Sequence, residues 1–177
     1  DILSVAFEDP DVAADVKAKG ELLKTAYSAG SNAAKVGAMA DLWDSAASPG
    51  DRDAALVLTA RAAALIAPSD EHAGQADRLI ASMLSAGFDE QAVRWVSVVD
   101  SGSLGWGLLA AASPGWRGTI TEGELDDFRS SDDSSDYRKS KMLLAGLAGL
   151  GRVDEAAVNG FAMGGGHVIH VICDITI

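Results

Sequence analysis

Along most of the chain, apolar residues recur at three- and four-residue spacing, punctuated by Ser, Asp, Pro and Gly where helices would start and stop. Residues 51–87 set the pattern. Pro49-Gly50 breaks the preceding helix, and Asp51 stands at the N-cap position of the next. Ala55, Leu58, Ala62 and Leu65-Ile66 then share one face, which leaves Arg52, Asp53, Thr59 and Arg61 for the solvent face. Pro68 ends this helix because it lacks an N–H donor and disfavours helical geometry at Ala67. Ser69 caps the following helix, whose stripe is Ala73, Ala76, Ile80 and Leu84, with Leu79 and Met83 beside it and Gly87 as its stop. The turn Ala67-Pro68-Ser69 between them predicts a hairpin that must bury its seam against neighbours.

The same grammar predicts the other elements. Residues 2–9 form an arm or a frayed helix ahead of Pro10. A helix over 11–29, capped by Asp11, carries Val12, Val16, Leu22-Leu23 and Ala26-Tyr27, and Gly20 is expected to divide it. Ser31 caps a helix over 31–47 that buries Val36, Met39-Ala40 and Trp43. Helices follow over 89–99, 103–112 (Leu104, Trp106, Leu108, Leu109) and 121–128, the last opened by Thr121 with Glu122 and Glu124. Residues 129–136 are rich in Ser and Asp but lack the ligand spacing of an EF-hand. They are expected to be a solvated connection whose Ser134 or Ser135 caps a helix over 136–150, with Met142-Leu143-Leu144 and Leu147 inside.

The C-terminal segment departs from this grammar. Gly164-Gly165-Gly166 is followed by a β-branched, almost uncharged run that reads as a strand. One face would hold His167, Ile169, Val171, Cys173, Ile175 and Ile177, and the other Val168, His170, Ile172, Asp174 and Thr176. A lone strand must pair with another chain or dock in a groove. Three rival readings stand beside that one. His167, His170, Cys173 and Asp174 are competent metal ligands, although a strand splits them between two faces. The tail could be the core peptide of a precursor, modified by a partner enzyme. It could also be an incidental terminus with no selected role.

Composition narrows the function classes. The net charge of −12 argues against nucleic acid, since phosphate binding needs concentrated Lys and Arg. No apolar run approaches the ~20 residues of a membrane span. Cys173 is the only cysteine, so no internal disulfide forms; the compartment stays open, with the cytoplasm favoured over secretion. The chain opens at Asp1 rather than Met, the pattern expected after removal of an upstream segment. Motifs for a nucleophile elbow, a Walker phosphate loop or a zinc protease are missing. Cys173 with His167 or His170 could serve as nucleophile and base, but nothing orients them. His72 is expected in a surface or capping role, and Trp43, Trp95, Trp106 and Trp116 in an aromatic core rather than a ligand groove. No cofactor is implied.

Gly151-Arg152-Val153-Asp154-Glu155-Ala156 resembles the inter-helix turn of tetratricopeptide repeats, where glycine ends helix A and an acidic pair with alanine opens helix B. Gly87-Phe88-Asp89-Glu90-Gln91-Ala92 is similar and one residue shorter. These turns lie 64 residues apart, and Pro49-Gly50 and Pro114-Gly115 lie 65 apart, a spacing that hints at a duplicated unit. Ser140 and Leu144 stand where the repeat favours an aromatic and a glycine, and Asn159-Gly160 ends the pattern. The resemblance implies a helical-repeat scaffold that binds other proteins, without assigning groove residues.

The sequence therefore predicts an all-α protein: antiparallel helical hairpins stacked as a small bundle or α-solenoid over residues 1–163, then a Gly-rich hinge and β-prone tail over 164–177. The expected function is a non-enzymatic scaffold for a protein or peptide, with the tail available to pair in a homodimer. The alternative is a precursor whose residues 167–177 are modified by an enzyme.

Overall fold

A computed structural model describes residues 13–154 and 157–158. Over those residues the protein is all-α. Its helices are α1 (Ala14–Ser28), α2 (Asn32–Asp44), α3 (Pro49–Ala64), α4 (Ala76–Ser85), α5 (Asp89–Val93), α6 (Leu104–Ala112), α7 (Glu122–Ser130) and α8 (Arg138–Gly149). Three 3-10 turns, Asp70–Gln75, Arg94–Ser97 and Ser135–Tyr137, lead into or out of them. The described residues contain no strand, only an isolated parallel bridge between Ile120 and Val153. No described helix is long and apolar enough to cross a membrane. The expected strand over 167–177, with its hinge, lies outside the described residues.

Local chemistry explains the helix ends. The Ser31 hydroxyl accepts from Ala34 N at 3.2 Å, and Thr121 and Glu124 form a reciprocal capping box at α7. At α3 the cap is Ser48, which accepts from Asp51 N at 3.1 Å. Pro49 is thus the first helical residue, where its missing N–H costs nothing, so the predicted cap at Asp51 is corrected. Gly87 and Gly151 end α4 and α8 with positive φ of 76° and 64°. Each builds the same Schellman closure: Gly87 N to Leu84 O and Phe88 N to Met83 O, Gly151 N to Ala148 O and Arg152 N to Leu147 O.

Several sequence expectations are corrected. Gly20 does not divide α1, which runs unbroken through it. The helix expected from Ser69 begins as a 3-10 turn and becomes α-helical only at Ala76. That turn packs on α2 and carries His72 inward, to 6% exposure, against the expected surface role. The helix expected over 89–99 keeps α geometry only to Val93. The largest difference is a rotation of α3. Its buried face is Ala55, Thr59, Ala60, Ala62 and Ala63, followed by Ile66 past its end, whereas Leu58 and Leu65 are 54% and 70% exposed.

Two clusters make the core. The first joins α1 to α5 around Trp43, Leu79, Ile80, Met83 and Trp95. The second packs Trp106, Ile120, Leu125, Phe128, Leu143, Leu144 and Leu147. α6 lies between them, sending Leu109 into the first and Trp106 and Ala110 into the second. Close approach is possible because α6 carries glycines. A Cβ at Gly105 would lie 2.6 Å from Asp77 Oδ1, and one at Gly107 would lie 2.6 Å from the Phe128 ring. α6 contacts both α4 and α8, whose buried positions recur 64 residues apart: Ala76 and Ser140, Leu79 and Leu143, Ile80 and Leu144, Met83 and Leu147.

Candidate binding groove

The rotation of α3 has a polar cause. The Trp43 indole donates Nε1–H to Thr59 Oγ1 at 2.9 Å, and the Thr59 and Ser82 hydroxyls lie 3.0 Å apart. Both hydroxyls also reach carbonyls of α3, Thr59 to Ala55 at 2.8 Å and Ser82 to Leu56 at 2.8 Å. A fully buried indole N–H and two buried hydroxyls each need a partner, and this cluster satisfies all three. Arg78 closes it from outside, with its guanidinium 4.8 Å from the Trp43 ring and 2.8 Å from the Asp44 carboxylate.

Turning Thr59 inward turns Leu58 outward, beside α1. There a half-open groove of about 320 Å³ runs between α1, the C-terminal end of α2 and the first half of α3. α1 supplies Val16, Gly20 and Leu23, with Leu42 and Ala46 from α2 and Ala54 and Leu58 from α3 completing apolar walls. Val16 is 53% exposed. Tyr27 braces one end, donating its hydroxyl proton to Leu58 O at 2.8 Å. Lys19 and Asp51 are the charged lining residues, and neither forms an ion pair with another described residue. Its walls are mostly apolar, with few polar groups.

The other candidates from the sequence fall elsewhere. Residues 167–177, including His167, His170 and Cys173, lie outside the described residues. Among the described residues no group of three or more His, Cys, Asp or Glu is placed to hold a metal ion. In the 129–136 connection the carboxylates are taken by internal partners: Asp132 by Ser134 and Ser140, Asp133 by Lys139 at 2.5 Å, Asp136 by Lys141 at 2.7 Å. Trp43, Trp95 and Trp106 are buried core, and Trp116 packs edge-on to Trp106 at 6.0 Å between centroids. None of the four lines the groove. Sequence reasoning missed the groove because it set Leu58 on the apolar face of its helix and treated Val16 and Leu23 only as apolar residues of α1, where Leu23 does pack against the first core. The one available signal was the small-residue content of α3, which is apolar on several faces and so leaves its rotation undetermined.

Fold and groove together define the class: over the described residues, an all-α protein with an apolar surface groove between the helices α1, α2 and α3. The chain matches no protein-family model, no curated protein and no solved structure.

Proposed function

We propose that this chain is a non-enzymatic helical scaffold whose α1–α3 groove binds a segment of a protein or peptide partner. One observation carries the reading. Val16 and Leu58, two large apolar side chains about half exposed, line a groove whose walls are mostly apolar, with Lys19 and Asp51 as its charged residues. Exposed apolar surface gathered in a concavity marks an interaction site more than scattered surface residues do. The partner segment would present two or three apolar anchors to Val16, Leu23 and Leu58, with a basic residue opposite Asp51, in keeping with the net charge of −12. The recurrence of buried positions and of the Schellman closure in α4 and α8 supports a helical-repeat scaffold. Within this reading the β-prone tail is a second contact, pairing with another chain; removal of residues 164–177 should then lower the oligomeric state.

The test of the groove is a selection of 12-residue peptides displayed on phage against the full chain, followed by titration against Leu58→Lys. Leu58 is exposed, so circular dichroism should be unchanged in the variant. Selected peptides carrying apolar anchors and a basic residue, with affinity reduced about 10-fold or more by Leu58→Lys, support the site. Selected peptides that bind Leu58→Lys as well as the wild type overturn it.

A further inference from the structure

We infer that the segment bound in the groove is an amphipathic α-helix of about three turns, with an acid and a base on opposite flanks of its apolar stripe. This rests on the groove reading above and specifies the conformation and charge of the partner. The spacing of the lining residues sets the shape of the site. α1 contributes Val16, Lys19, Gly20 and Leu23, and α3 contributes Asp51, Ala54, Ala55 and Leu58. Both sets fall at i, i+3, i+4 and i+7, one helix face followed along its length. The groove therefore runs along the axes of α1 and α3 for about 10 Å, rather than across them. The connections 29–31 and 45–48 are short, so α2 is antiparallel to both neighbours, and α1 and α3 point the same way. A helix laid between them, over the C-terminal end of α2, would be the fourth member of a bundle whose other three are in place.

An extended segment suits these walls poorly. Both are helices whose backbone groups bond within their own turns, so neither offers an edge for a strand to pair with. A strand seated there would bury its own N–H and C=O groups without partners, whereas a helix brings its backbone bonds with it and needs only side-chain contact. The charges define the flanks. The hydrogen bond from Tyr27 to Leu58 O sets α1 and α3 in register. Lys19 and Asp51 come eight and seven residues before those two, so they stand at the same end of the groove on opposite walls. Neither has an ion-pair partner among the described residues. A helix with Glu or Asp toward α1 and Lys or Arg toward α3 meets both charges. One with the same sign on both flanks meets one wall as like to like.

The probe is the tightest-binding 12-residue peptide from the phage selection, synthesised with and without a proline between its anchors and titrated against the full chain. The apolar anchors of the selected sequences should fall at i, i+3 or i+4, and i+7. The proline should weaken binding about 100-fold, because it breaks the helix. That change lies in the peptide, so the fold of the protein is not at stake. Reversing the acidic flank of the peptide to Lys should weaken binding about threefold, and Lys19→Glu should restore it. Anchors that alternate at i, i+2 and i+4, with a proline that changes affinity by less than about twofold, overturn the helix. The groove then stands if the same peptides still lose affinity for Leu58→Lys. Peptides indifferent to both the proline and Leu58→Lys overturn the helix and the groove together. A charge reversal that Lys19→Glu does not restore overturns the assignment of the acidic flank to α1.

Discussion

Thr59 shows how a single polar atom can orient a helix. Its hydroxyl accepts the Trp43 N–H, meets Ser82 and reaches the Ala55 carbonyl, with Thr59 and Ser82 both at 0% exposure. Thr59→Val keeps the shape and removes the acceptor, leaving the indole N–H buried without a partner. Urea unfolding followed by tryptophan fluorescence should show a loss of about 1–3 kcal/mol. Thr59→Ser, which retains the hydroxyl, should lose less. Leu58→Ala, one residue away on the exposed side, should stay within about 0.5 kcal/mol of wild type. A larger cost for Leu58→Ala than for Thr59→Val would contradict the observed rotation of α3.

At the scale of elements, the connection from α7 to α8 is held by one carboxylate. Asp132 Oδ1 accepts from Ser134 N at 2.9 Å and Ser134 Oγ at 2.6 Å; Oδ2 accepts from Ser140 N and Ser140 Oγ at the same two distances. It caps the first turn of α8 from outside the helix, while Asp136 and Tyr137 pass through left-handed geometry with φ of 58° and 51°. The helix predicted from Asp136 therefore begins at Arg138. Burial alone would raise the pKa of Asp132, but its four hydrogen bonds outweigh that effect and hold the carboxyl well below the usual carboxylate range. A depressed folded-state pKa stabilises the fold fully above the unfolded value, near ~4, and the contribution is lost as pH falls from there through the folded value. Urea midpoints measured at pH 7 and pH 3 should drop further for wild type than for Asp132→Asn. Equal drops would remove Asp132 as the source. At neutral pH, Asp132→Ala should cost about 1 kcal/mol, the usual worth of a helix cap. The exposed pair Asp133–Lys139, which lowers the Asp133 pKa chiefly through its hydrogen bond, should contribute little.

At the scale of the whole molecule, Arg152 joins the pieces. Its guanidinium donates to the carbonyls of Ala110 and Ser113 at the end of α6, its backbone N closes α8 on Leu147, and its carbonyl accepts from Ile120 N at 2.8 Å. Charge-assisted bonds to buried helix-end carbonyls are the stronger kind. Arg152→Ala should cost about 2 kcal/mol. Hydrogen exchange should rise first in α7 and α8, around the second core, and later in α2, α3 and α4. A uniform rise across both cores would show that Arg152 does not bind the second cluster to the first. Arg152→Lys keeps the charge but cannot fork to two carbonyls, so it should rescue only part of the loss.

Much of this architecture was legible in the sequence. Ser31, Thr121 with Glu124, Gly87 and Gly151 mark helix ends by local chemistry: a side-chain oxygen reaching an orphan N–H, or a residue that tolerates positive φ. Such signals need no distant partner. The all-α class follows from them together with the helical period of the apolar residues. Positions such as Trp43, Ile80 and Leu144 were assigned to the core correctly because a large apolar side chain on a marked face has few alternatives. What the sequence could not determine was the rotation of an alanine-rich helix, because small side chains make several faces nearly equal in burial energy. That choice fell to Trp43, Thr59 and Ser82, residues up to 39 positions apart that meet only in the folded chain. By turning Thr59 inward they turned Leu58 outward, and so made the groove. Helix existence was thus a local matter, whereas the site depended on buried hydrogen bonds that only tertiary packing can form.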